Sequence, residues 1–405
     1  LQAAFPAYVG LVAPRPVAAA DLGAVMAPDE ALVTVLPTRG RTFVAVVRQG
    51  RARVYGADLS ALDLAVAVGL LRGGLDWARR GRADYDLTEA HHLYTLLLGP
   101  ASDLLAGVRH LVVVPSGPLA SLPPGVLVAS APPPDRHYTK VDWLAARHAI
   151  SVMPNVQAFA QGRRQAKASA APLPFVGFAD PAFTGAPAGA RGVADSLGAV
   201  CRADAAALAE QVRRLPPLPD TAGELKSIAR FLGAGDDVVN TGARATEARV
   251  RETHLDQYRV VAFATHGLLP WDLDCQADAA LALTPAGGDD GLLDTAEIVA
   301  LRLDADWVLL SACNTAGGGD ALGGDSLSGL ARAFFFAGAR NLLVSHWAVS
   351  SDSTVRLTTG IFQALAEVAA GKAEALRRSR RALIADPARA HPFHWAPFVL
   401  VGDGG

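Results

Sequence analysis

Val260-Val-Ala-Phe-Ala-Thr-His266-Gly267 and Trp307-Val-Leu-Leu-Ser-Ala-Cys313-Asn-Thr-Ala-Gly317 share one grammar: a short apolar run that ends at once in a polar side chain and small residues. Apolar runs of four to six residues without alternation read as strands buried on both faces, the mark of a parallel sheet covered by helices. In an open parallel sheet the carboxyl ends of the strands form the edge where ligands bind. Both segments therefore deliver their polar groups to the same edge. If the two strands are neighbours, His266 and Cys313 face each other.

Working outward, the same alternation of short apolar runs with helical patterns fills most of the chain and predicts an α/β fold with mostly parallel sheets. Strands are expected at Leu32–Leu36, Thr42–Val47, Arg51–Tyr55 and Leu111–Val114, and then at Phe175–Ala179, Asp237–Asn240, Val260–Thr265, Trp307–Ser311, Asn341–Ser345 and Phe398–Val401. Helical patterns lie at Ala61–Arg79, Thr88–Leu98, Thr221–Leu232, Thr246–His254, Asp294–Leu301, Ser326–Ala337, Thr354–Ala370 and Lys372–Ala385. The Ala/Arg/Lys/Pro-rich stretch from Gln161 to Pro174 loses periodicity and is the best internal boundary. The expected domains are 1–27, a linker from a missing upstream region, 28–160, a linker at 161–174, and 175–405. The start at Leu1 without methionine suggests a piece of a longer polypeptide.

Composition narrows the function classes. The 405 residues are 51% hydrophobic and 19% charged, an ordinary globular profile that excludes disorder and fibrous architecture. With 37 Lys+Arg against 39 Asp+Glu there is no global field to hold nucleic acid or an anionic membrane, so neither is expected as a partner. No apolar stretch approaches bilayer length and no signal peptide opens the chain, which predicts a cytoplasmic protein. Three cysteines, Cys201, Cys275 and Cys313, argue against a disulfide framework and for a reducing compartment. No cofactor or metal is expected: His91-His92 and His391-x-x-His394 lack companions at a zinc-like spacing.

A thiol beside an imidazole is the pairing that nucleophilic catalysis needs, because the thiolate attacks and histidine manages its proton near neutral pH. Gly267, with no Cβ, lets a carbonyl approach the backbone, and its N–H with that of Cys313 would make an oxyanion hole. The structural alternative makes Cys313 a small buried hydrophobe and His266 a hydrogen-bonded strand end.

The block from Phe175 to Val401 resembles the CHAT-domain family, caspase-like cysteine peptidases of the clan that holds caspases and separases. The matching elements are Ala264-Thr-His266-Gly267, Leu310-Ser-Ala-Cys313-Asn-Thr315-Ala-Gly317, Leu327–Ala339, Ser345-His-Trp347-Ala-Val349 and His391-Pro-Phe-His-Trp395-Ala-Pro-Phe398-Val-Leu-Val-Gly402-Asp403. Ahead of them, Leu93-Tyr-Thr-Leu-Leu-Leu-Gly-Pro100 and His110-Leu-Val-Val-Val-Pro-Ser-Gly-Pro-Leu119 resemble the segment that precedes the family's catalytic block. The resemblance implies two tandem caspase-like three-layer units, a non-catalytic half followed by the catalytic one. It also implies a His266/Cys313 dyad cleaving a protein substrate through an acyl-enzyme, and an upstream TPR or sensor region or activating partner. The alternative is a signalling scaffold that keeps the fold and does not cleave.

Substrate preference is less determined. In related separases an acid soon after the Trp-x-Val motif accepts a basic P1 side chain, whereas Trp347-Ala-Val-Ser-Ser351 places serine there and Asp352 one position later. Asp180, at the end of the first strand of the catalytic block, is the second candidate wall. Both have structural readings, Asp352 as an N-cap of the helix through Thr354 and Asp180-Pro181 as a turn pair. The Gly317–Gly324 run lacks the Lys-Ser/Thr of a P-loop and reads as a substrate-side loop. Ala182–Arg191 is a candidate processing loop.

Overall fold

The computed structural model describes residues 16–75, 84–164, 167–185, 204–311, 329–347, 351–367 and 371–405. In chain order the strands are β1 Glu30–Pro37, β2 Thr42–Arg48, β3 Arg51–Ala57, β4 His110–Val114, β5 Ala149–Val152, β6 Leu173–Pro181, β7 Val239–Gly242, β8 Tyr258–Ala264, β9 Gly267–Leu268, β10 Ala280–Ala282, β11 Leu292–Asp294, β12 Trp307–Leu310, β13 Leu342–Ser345 and β14 Phe398–Val401. The longer helices are α1 Ala19–Gly23, α2 Ala61–Leu75, α3 Leu87–Leu97, α4 Val156–Arg164, α5 Ala205–Arg213, α6 Pro219–Phe231, α7 Glu247–Glu252, α8 Thr295–Ala300, α9 Gly329–Ala337, α10 Ser351–Glu367 and α11 Lys372–Ala385. These residues form two compact units: the first holds those between 16 and 168 and between 356 and 405, the second those between 169 and 311 and between 329 and 355.

In the first unit the strand order is β3-β2-β1-β4-β5-β14. The β1–β2 and β2–β3 pairs are antiparallel, and β1–β4, β4–β5 and β5–β14 are parallel. Alternation along β1 and β4 sends Leu32, Val112 and Val114 to a face packed by Leu22, Met26 and Phe159 of the segments around α1 and α4. Val33, Val35, Leu111 and Val113 go to the other face, with Leu97, Leu119 and Leu144 around them.

In the second unit the order is β13-β12-β8-β6-β7, every pair parallel. Helices cover both faces, as the non-alternating runs require. Phe178 of β6 and Phe263 of β8 are register partners with rings stacked at 5.2 Å, and Phe334 of α9 packs on Phe263 at 5.6 Å. Gly177, one residue before Phe178, faces the opposite side, where a Cβ would stand 2.8 Å from Leu225 Cδ1 of α6. That strand glycine is what lets α6 lie close on the sheet. A small antiparallel sheet, β11-β10-β9, flanks this unit.

Several sequence expectations are revised. Strand β5 was not foreseen: Ala149-Ile-Ser-Val152 carries too little apolar bulk to stand out, yet all four residues are buried. The expected 161–174 linker contains the end of α4 and the start of β6, and the 1–27 segment contains α1. Helix α11 and strand β14, read as part of a catalytic half running to 405, belong to the first unit, where β14 pairs with β5 and α11 packs over β5. Asp352 is not an N-cap, because α10 already begins at Ser351. The three cysteines argue against a disulfide framework, yet Cys275 is disulfide-bonded; sequence spacing carries no record of which cysteines approach each other. Most of Ala182–Arg191 lies outside the described residues. No helix among the described residues is long and apolar enough to cross a membrane, and no group of three metal-ligating side chains occurs among them.

Candidate active site

His266 stands two residues beyond the end of β8. The backbone beneath it is clamped: buried Thr265 donates through Oγ1 to the Ala282 carbonyl, and Ala282 N–H donates to the His266 carbonyl at 2.9 Å. That last bond makes Gly267 and Leu281 a non-hydrogen-bonded antiparallel pair. The Gly267 N–H is therefore turned away from β10, and β9 is the edge strand of its sheet. An amide so placed has no partner within that sheet.

The imidazole is oriented by backbone. Nε2 lies 2.8 Å from the carbonyl oxygen of Pro216, which can only accept, so Nε2 carries the proton and the neutral ring keeps its lone pair on Nδ1. The Phe183 ring leans against it with centroids 5.5 Å apart. Burial pushes the His266 pKa below its ordinary value, against the weaker upward pull of the Pro216 bond. A half-buried histidine kept neutral, with one nitrogen fixed and the other basic, is equipped to take a proton.

Pro216 begins the short lead into α6, and two more contacts follow within that helix. Thr221 in its first turn donates through Oγ1 to the Leu218 carbonyl at 2.8 Å and accepts from the Asp180 N–H at 3.0 Å. Asp180 has φ of 45° and sits where the β6–β7 register shifts, between Ala179 and Pro181. Glu224, one turn further on, is 3% exposed and bonds Ser311, the residue after β12. Its Oε1 has no hydrogen-bond partner. Burial pushes the Glu224 carboxyl up to about 8, against the downward pull of the Ser311 bond.

Of the residues singled out in the sequence, His266, Gly267 and Asp180 thus stand at the carboxyl ends of the strands of the second unit. Trp347, two residues past β13, is 9% exposed, and Asp352 is exposed in the first turn of α10. Cys313, with the glycine-rich run after it, and the Ser351 side chain lie outside the described residues. Pro216, Thr221, Phe183 and Glu224 were not foreseen. A backbone carbonyl has no sequence signature, but Glu224 had one: it falls on the buried stripe with Leu225, Ile228 and Ala229, where a carboxylate is out of place.

Comparison with known proteins identifies the family and the fold. A CHAT domain profile matches residues 87–403. Tetratricopeptide repeat protein 28 of Mus musculus is 29% identical over 224 residues, covering 46% of this chain and 9% of that protein. Among solved structures, separase in the Saccharomyces cerevisiae separase–securin complex aligns over 95% of this chain and 30% of its own, with TM-score 0.50 and 10% identity. The Arg-specific cysteine proteinase gingipain R aligns over 85% of this chain and 68% of its own, with TM-score 0.40 and 11% identity. The chain therefore spans a small part of the mouse and yeast proteins it matches. With the profile covering most of its length and the strand order laid out above, the chain belongs to the CHAT-domain family and has a caspase-like α/β fold.

Proposed function

We propose that this chain is a cysteine endopeptidase in which Cys313 attacks the scissile carbonyl of a protein substrate and His266 serves as acid and base. The observation that carries the reading is the parallel pairing of β8 with β12, whose register keeps a constant offset of 47 positions from Trp307 opposite Val260 to Leu310 opposite Phe263. Counted onward along the sequence, the same offset matches His266 with Cys313. Ser311 N–H, bonded to the Phe263 carbonyl at 2.9 Å, shows the ladder continuing one residue past β12.

The chemistry follows from the groups. His266 Nδ1 takes the Cys313 thiol proton as sulfur adds to the carbonyl carbon, and the oxyanion is held by the Gly267 and Cys313 amides. The imidazolium then protonates the departing amine, leaving a thioester. A water deprotonated by the same Nδ1 cleaves that thioester, releasing the acid and restoring the thiol. Pro216 holds the ring through both half-reactions, the part a carboxylate plays in a triad. Asp180 and Asp352 are the candidate readers of a basic P1 residue, with Trp347 and Ser351 beside the latter in sequence. An upstream TPR or sensor region, in keeping with the name of the mouse relative, is the proposed activator.

The test is covalent labelling by peptide acyloxymethyl ketones carrying Arg, Leu or Asp at P1, read by intact mass and peptide mapping. Modification confined to Cys313 and lost in Cys313→Ala and His266→Ala is expected. Equal labelling of His266→Ala would refute the dyad.

A further inference from the structure

The three contacts made by the Pro216–Glu224 segment fall on three neighbouring strands. Pro216 holds His266 beyond β8, Thr221 holds Asp180 at the end of β6, and Glu224 holds Ser311 beyond β12. These strands are adjacent in the order β12-β8-β6. One short segment thus brackets the carboxyl ends of the central strands from the α6 side of the sheet. Alternation agrees: Leu310 pairs with Phe263 on the α9 side, so Ser311 turns toward α6.

We propose that Glu224 is a positioning residue for the dyad: through Ser311 it fixes the end of β12, from which the chain runs on to Cys313, while Pro216 fixes His266. The inference rests on the peptidase reading and adds a residue to it. Two observations set Glu224 apart from an ordinary helix carboxylate. It is 3% exposed with one oxygen unpartnered, a costly arrangement that packing alone would not retain. Its bonded partner, Ser311, follows β12 two positions before Cys313 in the sequence.

The state of the carboxyl follows from its surroundings. On α6 itself Asp220, Lys226 and Arg230 are the charged neighbours in sequence, and Arg230 is paired with Asp236. The elements packed against α6 bring Asp180, Tyr258, Arg259, Asp236 and Asp237. None of these contributes to the Glu224 shift, which burial causes and the Ser311 bond opposes. At neutral pH Glu224 is therefore a neutral acid hydrogen-bonded to Ser311. Ionisation above about 8 places an uncompensated charge beneath the end of β12.

The experiment measures second-order alkylation of Cys313 by iodoacetamide from pH 6 to 9.5, by peptide mapping, in the 405-residue wild type, Ser311→Ala, Glu224→Ala and Glu224→Gln. Displacing a reacting group by about 1 Å costs up to about a hundredfold. Ser311→Ala and Glu224→Ala are expected to slow Cys313 by about tenfold or more with unchanged circular dichroism. Glu224→Gln, which keeps shape and neutrality, is expected to restore the rate at pH 7, with its ratio to wild type flat below pH 7 and rising above pH 8. Fast wild-type alkylation that survives both Ser311→Ala and Glu224→Ala, or a Gln-to-wild-type ratio flat throughout, overturns the positioning role and leaves the peptidase reading standing. Wild-type Cys313 reacting no faster than a thiol of the unfolded chain overturns both.

Discussion

Replacing Glu224 by Gln should change the pH dependence of stability by an amount the structure fixes. The carboxyl moves from an ordinary 4.5 to about 8 on burial, and each pKa unit is worth about 1.4 kcal/mol, so the linked free energy is about 4–5 kcal/mol. Between those two pH values the folded state holds a proton that the unfolded state has released. The contribution to wild-type stability is therefore fully present below about pH 4.5 and is lost as pH rises toward 8, with a slope of about 1.4 kcal/mol per pH unit. Gln has no such slope. Equilibrium urea unfolding of both proteins at half-unit steps from pH 5 to 8.5 isolates the effect as a difference, because Glu247, also raised by burial, titrates in both and cancels. The Gln-minus-wild-type difference should widen in favour of Gln by about 4 kcal/mol between pH 5 and 8 and level off beyond. A difference constant to within about 0.5 kcal/mol across that range would refute the buried neutral acid.

The lowered pKa of His266 predicts that kcat/KM on a peptide substrate holds below pH 6.5 before the acid limb sets in, because the neutral imidazole is the active form; a limb centred above 6.5 contradicts the desolvated ring. If Asp180 reads P1, Asp180→Asn should slow labelling by an Arg-P1 ketone about tenfold while sparing the Leu-P1 probe, and Asp352→Asn should do neither; the reverse pattern moves the pocket to α10. Gly338→Ala, at φ of 115° with the new Cβ 2.2 Å from the Leu303 carbonyl oxygen, should cost about 2–3 kcal/mol in chemical denaturation without altering the labelled residue.

Local physics made much of this protein legible from its residues. Non-alternating runs such as Val260–Thr265 and Trp307–Ser311 have the length and apolar content of strands covered on both faces, and both form, as β8 and β12. Lys372–Ala385 shows a helical stripe whose ends match α11 residue for residue. His266 and Gly267 were recognisable because strand, polar group and small residue follow one another without a gap, and the family was readable from motifs in fixed order.

What the tertiary structure alone decided are relations between parts distant in sequence. Strand β14 and helix α11 belong with residues 16–168 because β14 finds its partner in β5, a strand too weakly apolar to announce itself. The disulfide at Cys275 depends on spatial approach, which spacing does not encode. Pro216 lies 50 residues from the histidine it orients and acts through a carbonyl that every residue possesses. The place of Glu224 on the buried stripe of α6 can be read from the sequence, but its meeting with Ser311, 87 positions on, cannot. Periodicity records which face of an element is buried; it does not record what the buried face meets, and the groups that hold this site are set by that meeting.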